Sequence, residues 1–223
     1  MSRRQALSAA RSLSRRGPSR EPRSRFLLIC EGKVTEPEYF RYVRESLRDH
    51  SLTIEISKTH GNPLQLVQEA LEQTRSASRD ARKGRDDNLR YDQVWCVLDV
   101  DTHPQLSAAE VLAEKHSIRL AVSNPCFELW PLLHIVDRRG HMTSQQMQAE
   151  RCRHMPGYEK RLECEKLRGH YNSARERAVS IHKQHERDGK PHGSNPSTTV
   201  WQLVDELLGA RQRAGGGATI SPL

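Results

Sequence analysis

Two short, unbroken apolar runs constrain the fold of this chain more than any other feature of its sequence. Residues 26–30 and residues 94–98 are apolar throughout. Runs of this kind are typical of parallel strands whose two faces are both covered by helices. Two more strands are predicted, one at 52–56, where apolar and polar residues alternate, and one at 118–122.

Helical patterns occupy the intervals between the predicted strands. One helix starts near Pro37 and a second near Pro63, because proline suits the first turn of a helix. Further helices are predicted at 105–116 and after Pro125. Strands and helices that alternate in this way predict an α/β fold with a mostly parallel, four-stranded sheet flanked by helices.

The rest of the chain predicts helices and loops but no strand. Residues 74–92 are charged and weakly patterned, which indicates the ragged end of the second helix and then a surface loop. After about residue 137 the pattern is helical only, and the last helix opens at Pro196. The predicted organisation is a disordered Arg-rich tail (1–24), a core (25–137), a helical extension packed on that core (138–208) and a flexible tail (209–223).

The basic charge of the chain is concentrated at its N-terminus. The whole chain has 36 Lys and Arg residues against 28 Asp and Glu residues, a formal net charge of +8. Residues 1–25 hold eight Arg and one Glu, which gives +7, so the remaining residues carry only +1. The tail is either a solvated leader or an arm that binds nucleic-acid phosphates without sequence preference.

Composition excludes several classes of protein. No apolar run approaches the roughly 20 residues of a membrane-spanning helix, and the Arg-rich N-terminus lacks the apolar stretch of a secretory signal. The five cysteines form no CxxC pair. An odd number of cysteines without an export signal predicts free thiols in a cytoplasmic protein that does not bind membranes.

Three acidic residues directly follow two of the predicted strands. Glu31 comes after the first strand, and Asp99 and Asp101 come after the third. Sites in open α/β sheets lie beyond the carboxyl ends of the strands, where the strand order reverses, so we expect these carboxylates to converge at one edge. Crowded carboxylates repel each other, and hard oxygen ligands select Mg²⁺ or Mn²⁺. The alternative is that the acids only end strands or cap helices.

Residues next to the first acid are candidates for the same edge of the sheet. Gly32 permits a close backbone approach. Lys33 either contacts a substrate phosphate or is a solvated loop residue. Glu36, at the start of the following helix, either reaches the same edge as a metal ligand or provides a favourable negative charge at the helix N-terminus.

Four further candidates lie near the later strands. Glu128 lies in an otherwise apolar helix, and a buried acid needs a partner, so it is a candidate metal ligand. Asn124 is either a helix N-cap or a substrate-binding residue. His103, just past the DxD pair of acids, is a candidate substrate contact, whereas His134 is expected to be packed in the core.

Four ordered motifs carry a resemblance to a known family. They are LLICEGKVTEPEYF, DQVWCVLDVDTHP, SNPCFELWPLLH and NPSTTVWQLVDEL. Together they resemble the RloB-like family, small bacterial proteins found among restriction and phage-defence genes, over roughly residues 25–208. That family is similar to the Rossmann-like Toprim fold shared by topoisomerases, primases and OLD-type nucleases.

The resemblance implies a role for each acid at the predicted edge. Glu31 matches a general acid/base or metal ligand, and Asp99 and Asp101 match a pair that binds Mg²⁺. Glu36 matches a second acid of the OLD-type nucleases, although the spacing here, EGKVTE, is one residue longer than the EGxTE of those proteins.

The resemblance also implies a function. It favours a metal-dependent endonuclease of bacterial anti-phage defence that uses Mg²⁺ or Mn²⁺. Similar defence proteins pair such nucleases with ATPases, and some of the nucleases cut tRNA, so RNA is favoured over DNA and an ATPase partner is expected. Homo-oligomer formation is a further expectation. The alternative is a non-catalytic nucleic-acid-binding or regulatory subunit in which the acids are structural.

Overall fold

The computed structural model describes residues 24–47, 52–100, 105–155 and 162–213. Within them the strands are β1 (Ser24–Cys30), β2 (Leu52–Ile56), β3 (Gln93–Asp99), β4 (Arg119–Asn124) and β5 (Ser197–Thr198). The α-helices are α1 (Thr35–Leu47), α2 (Pro63–Gly84), α3 (Leu106–Lys115), α4 (Leu129–Ile135), α5 (Ser144–His154), α6 (Tyr171–Arg187) and α7 (Val200–Arg213). Short 3-10 turns lie at Asp87–Leu89 and Cys164–Leu167.

The strand order of the sheet sets the position of the candidate site. The order is β2-β1-β3-β4-β5, and all neighbouring strands are parallel except β4 and β5. From β1 the chain first adds β2 on one side and later adds β3 on the other, so the order reverses between β1 and β3. In the register of these two strands Cys30 pairs with Val97. Their carboxyl ends therefore lie side by side at the switch point of the sheet.

Helices cover both faces of the sheet, which is why residues 26–30 of β1 and 94–98 of β3 are all apolar. Leu27 and Ile29 of β1 pack on α2 and α3, whereas Phe26, Leu28 and Cys30 pack on the face covered by α1, α4, α6 and α7. Successive side chains of a strand point to opposite faces, so a strand buried on both faces needs apolar residues at every position. The α/β class predicted from the two apolar runs is confirmed.

The prediction of four strands is wrong, because the described residues contain a fifth. β5 pairs antiparallel with the end of β4, Ser123 opposite Thr198 and Asn124 opposite Ser197. It has only two residues, both polar, so it carries neither of the periodic patterns that identify a strand in a sequence. The expectation that strands cease after residue 137 fails for the same reason.

The end of α2 agrees with the prediction, whereas the start of α4 differs from it. α2 continues to Gly84, within the segment predicted to hold the ragged end of this helix and then a loop, and Ala77 and Ala81 are buried along it. α4 begins only at Leu129. Asn124 is therefore the last residue of β4, held there by its pairing with β5, and not a helix N-cap.

The C-terminal helix is longer than predicted. α7 ends at Arg213, past residue 208, and the buried Ala210 extends its packed face. The Arg-rich tail assigned to residues 1–24 lies outside the described residues except for Ser24, and so do residues 214–223. None of the helices in the described part of the chain combines the length and apolar character that crossing a bilayer requires. All five cysteines are free thiols.

Candidate functional site

The switch point of the sheet brings together two acids that are far apart in the sequence. Glu31 directly follows β1, and Asp99 is the last residue of β3. The backbone N–H of Asp99 donates a hydrogen bond to Glu31 Oε2, with 3.0 Å between the two atoms. The backbone N–H of Glu31 in turn bonds to the carbonyl oxygen of Val97 at 3.1 Å. The two strand ends therefore fix the position of the Glu31 carboxylate.

Asp99 lies in an environment that opposes its ionisation. Its Oδ1 atom is buried and has no hydrogen-bond partner among the described residues. Burial is the largest cause that raises the pKa of Asp99, which reaches about 9. The negative charges of Glu36, Glu128 and Glu31 raise it further, in that order. A buried carboxylate surrounded by like charges is stabilised by a cation.

Glu36, in the first turn of α1, faces the same point. Its side chain is buried, and its Oε1 accepts a hydrogen bond from the backbone N–H of Gly32 at 2.9 Å. A Cβ atom at position 32 would collide with Glu36 Oε2, so any other residue there would displace this carboxylate. Burial, opposed in part by backbone hydrogen bonds, raises the pKa of Glu36 to about 7, and the charges of Glu128 and Glu31 contribute.

Glu128 completes the group from the start of α4. Its side chain is mostly buried, and its Oε1 lies 3.6 Å from the guanidinium Nη1 of Arg151 on α5. We call Glu31, Glu36, Asp99 and Glu128 the acid cluster. The helical extension thus provides one cation at the side of this cluster, where it offsets part of the negative charge.

The remaining predicted residues are distributed around the cluster. Asp101 and His103 lie outside the described residues, so their positions in the site stay predictions. Lys33 is exposed on the loop between β1 and α1. Asn124 lies at the same edge of the sheet, where its Nδ2 donates a hydrogen bond to the carbonyl oxygen of Gly193 at 2.8 Å.

His134 is a packed core residue, as the sequence predicts. Its ring is buried, with Nδ1 3.0 Å from the carbonyl oxygen of Trp130. Its ring contacts those of Trp130 and Tyr39 edge to face. Burial lowers the pKa of His134 to about 4, so the ring is neutral at physiological pH.

Two residues near the cluster were not identified from the sequence. Arg151 is one of many arginines in a charged helical region, and no pattern distinguishes it from the others. His60 lies past the carboxyl end of β2, where its Nδ1 is 3.3 Å from the carbonyl oxygen of Cys30, next to Glu31. The rule that places sites beyond strand ends, applied to β2, could have found His60.

The chemistry of the acid cluster fits a hard divalent cation. Among the described residues no three His, Cys, Asp or Glu side chains are arranged closely enough to hold a metal ion as they stand. The donor set is nevertheless all carboxylate oxygen, which suits Mg²⁺ or Mn²⁺. The Oδ1 atom of Asp99 has no hydrogen-bond partner among the described residues. The pKa values of Asp99 and Glu36 are raised by burial and by the negative charge of the neighbouring acids, which a bound cation would offset.

Comparisons with known proteins identify the family. The profile of a family described as RloB-like protein matches residues 26–207, which is well over half of the chain. A search of curated proteins finds no match, and a search of solved structures finds none either. The matched range runs from β1 into α7 and includes every residue of the acid cluster. The chain therefore belongs to the RloB-like protein family.

Proposed function

We propose that this protein is a nuclease of bacterial anti-phage defence that hydrolyses phosphodiester bonds with the help of Mg²⁺ or Mn²⁺. RNA, including tRNA, is the favoured substrate, and DNA is the second. The observation that carries the proposal is the Glu31–Asp99 hydrogen bond at the switch point, with Glu36 and Glu128 near enough to raise the pKa of Asp99. A Toprim relationship is part of the proposal and rests on the resemblance in sequence.

The acids of the cluster have separate tasks in this proposal. Asp99 and Glu128, with Asp101 as predicted from the sequence, would hold the cation, and Glu31 and Glu36 border it. A bound Mg²⁺ supplies charge stabilisation at the scissile phosphate and a lower pKa for the attacking water. Because burial and the neighbouring acids raise the pKa of Asp99 to about 9, its carboxyl group would release a proton as the cation binds.

Glu31 is the proposed general base. Its Oε2 accepts a hydrogen bond from the Asp99 N–H, which fixes the carboxylate that would take a proton from the attacking water. Lys33 is exposed on the next turn of chain and would contact the substrate backbone, a contact that positions a phosphate without reading sequence. Arg151 balances Glu128 and so limits how strongly the cluster repels the substrate.

The proposal is tested by incubating the purified full chain with tRNA, single-stranded RNA, single-stranded DNA and duplex DNA. Each substrate is combined with Mg²⁺, Mn²⁺ or EDTA. We expect cleavage of RNA that EDTA abolishes and that Asp99→Asn and Glu31→Gln each reduce at least about 100-fold, the usual contribution of such groups. Asp80→Asn, an exposed acid on α2, is the matched control and should cut like wild type.

Full cleavage by both cluster variants would contradict the proposal. A chain that binds RNA equally well with and without these acids, and cuts no substrate, is instead a binding or regulatory subunit. Assembly with an ATPase is part of the same proposal. It is checked by repeating the cleavage assay with the ATPase present and asking whether Asp99→Asn abolishes the cleavage that appears.

A further inference from the structure

A cavity of about 680 Å³ lies along β4 and β5 and has no role in the proposed hydrolysis. It is enclosed by α3, β4, α6, β5 and the start of α7. Pockets for small organic ligands usually have volumes of about 300–1,000 Å³. The cavity is therefore large enough for one nucleoside, and it is partly open to solvent.

The cavity is connected to the candidate active site through two chain segments. Val100, which lines it, is the residue directly after Asp99. Gly193, on the opposite wall, accepts the 2.8 Å hydrogen bond from Asn124 at the end of β4. A group bound in the cavity therefore lies next to the strand ends that carry the acid cluster.

Aromatic rings and apolar side chains make up most of the lining. Leu120 and Val122 of β4 form one wall, and the indole of Trp201 is partly exposed beside them. The imidazole rings of His182 and His192 stand perpendicular to each other with their centres 4.8 Å apart. Flat rings between apolar walls favour a flat, uncharged ligand.

The acids and lysine of the lining provide no excess of positive charge for an anionic group. Lys183 contributes one positive charge and Glu110 and Glu186 contribute two negative charges, and Glu186 Oε1 lies 3.3 Å from Nε2 of His182. The lining therefore favours an uncharged group over a phosphate. An uncharged base can enter while its phosphates stay outside, on the side of the acid cluster where a cation is expected.

We propose that this cavity binds one unstacked nucleobase of a single-stranded nucleic acid, next to the phosphate at the acid cluster. The inference rests on the proposed function, since it assigns a binding site to the same substrate. Trp201 and the two imidazoles provide the stacking surfaces, and Ser197 and Gln202 are the polar side chains available to the edge of the base. The protein would thereby recognise single-stranded segments and loops.

The first test uses uncharged nucleosides, so that neither metal nor phosphate is needed. Trp95 and Trp130 are fully buried, which leaves Trp201 as the indole that a ligand in the cavity can reach. Adenosine, guanosine, cytidine and uridine are each titrated against the full chain in EDTA while tryptophan fluorescence is recorded. We expect a saturable change with at least one nucleoside, none with ribose, and none in Trp201→Phe.

The second test uses a set of short fluorescent RNAs, each with one abasic site at a different position, and then the matching set of DNAs. Binding of each to the protein is measured in EDTA. Loss of one stacked base should weaken binding roughly 5- to 150-fold at one position only. Val179→Phe, which fills the cavity from α6 and leaves Trp201 in place, should abolish this dependence on position. Val111→Ala, an exposed site on α3 outside the cavity, should retain it.

The outcomes separate this inference from the proposed function. No response to any nucleoside together with equal effects of all abasic positions would overturn the cavity assignment and leave the space to a peptide or another small molecule. If intact RNA is cut in Mg²⁺ but every abasic position affects binding equally, the proposed hydrolysis is supported and the base-binding site is refuted. If binding is weakened at one abasic position and no substrate is cut, the base-binding site is supported and the proposed hydrolysis is refuted.

Discussion

At the scale of single residues, Asp99 carries the largest electrostatic penalty of the candidate site. It is buried, it faces three other acids, and one of its carboxylate oxygens has no partner among the described residues. Its position could be predicted from the sequence, because it directly follows an apolar strand. The extent of its crowding by other acids could not, since Glu36 comes from α1 and Glu128 from the start of α4.

Stability should therefore depend on pH through this residue. The pKa of Asp99 is about 9 in the folded protein, above its value in the unfolded chain. The stability that this residue contributes is therefore fully present below the unfolded pKa and is lost as pH rises through about 9. We expect the metal-free protein to lose on the order of 1–3 kcal/mol of unfolding free energy between about pH 7 and about pH 9. Asp99→Asn should lose clearly less. Urea unfolding in EDTA across this range measures both.

The control for this experiment is Asp80→Asn, in which the substituted acid is exposed on α2. Its unfolding free energy should fall with pH in parallel with that of the wild type. Parallel curves for wild type and Asp99→Asn would mean that Asp99 is ionised in the folded protein at neutral pH. The burial and repulsion described for it would then be wrong.

At the scale of secondary-structure elements, prediction succeeded where an element has a pattern of its own. β1 and β3 are apolar because both of their faces are covered, and this property is local to each strand. β5 is defined only by its pairing with β4, so its two residues contain no pattern from which a strand could be predicted. The same limit explains Arg151, whose contact with Glu128 joins helices whose relative orientation is not encoded in any local pattern.

The short strand β5 is fixed by side chains as much as by its backbone. The Oγ of Ser123 and the Oγ1 of Thr198 are 2.9 Å apart, and both residues are buried. Thr198→Val keeps the shape and leaves a buried hydroxyl without its partner, which should cost about 1–3 kcal/mol of unfolding free energy. Urea unfolding measures the loss. Thr53→Val, at an exposed position of β2, is the matched control, and equal losses in both variants would refute the role given to this contact.

At the scale of the whole molecule, the acid cluster predicts that a divalent cation stabilises the fold. A cation at ten times its dissociation constant adds about 1.4 kcal/mol to the unfolding free energy. For a chain of this size that raises Tm by roughly 3–6 °C. Thermal unfolding at about pH 8 with Mg²⁺, compared with NaCl of equal ionic strength, measures the effect.

Asp99→Asn should show little or none of this increase in Tm. An equal increase in wild type and variant would mean that Mg²⁺ acts elsewhere on the protein. Because this readout is independent of cleavage, it tests the cation site even when no substrate has been found.

The helical extension and the sheet share one hydrophobic core. Met147, Leu167 and Ile181 belong to the same buried cluster as Phe26 and Trp95 of the central strands. Arg151 on α5 also reaches the acid cluster. A fragment cut at the boundary near residue 137 would therefore lose α6 and α7 from the face of the sheet that they cover together with α1 and α4, and it would deprive Glu128 of its counter-ion. The described residues offer no clean division at this boundary, so engineering that aims to shorten the protein must begin at the ends and not between the core and the extension.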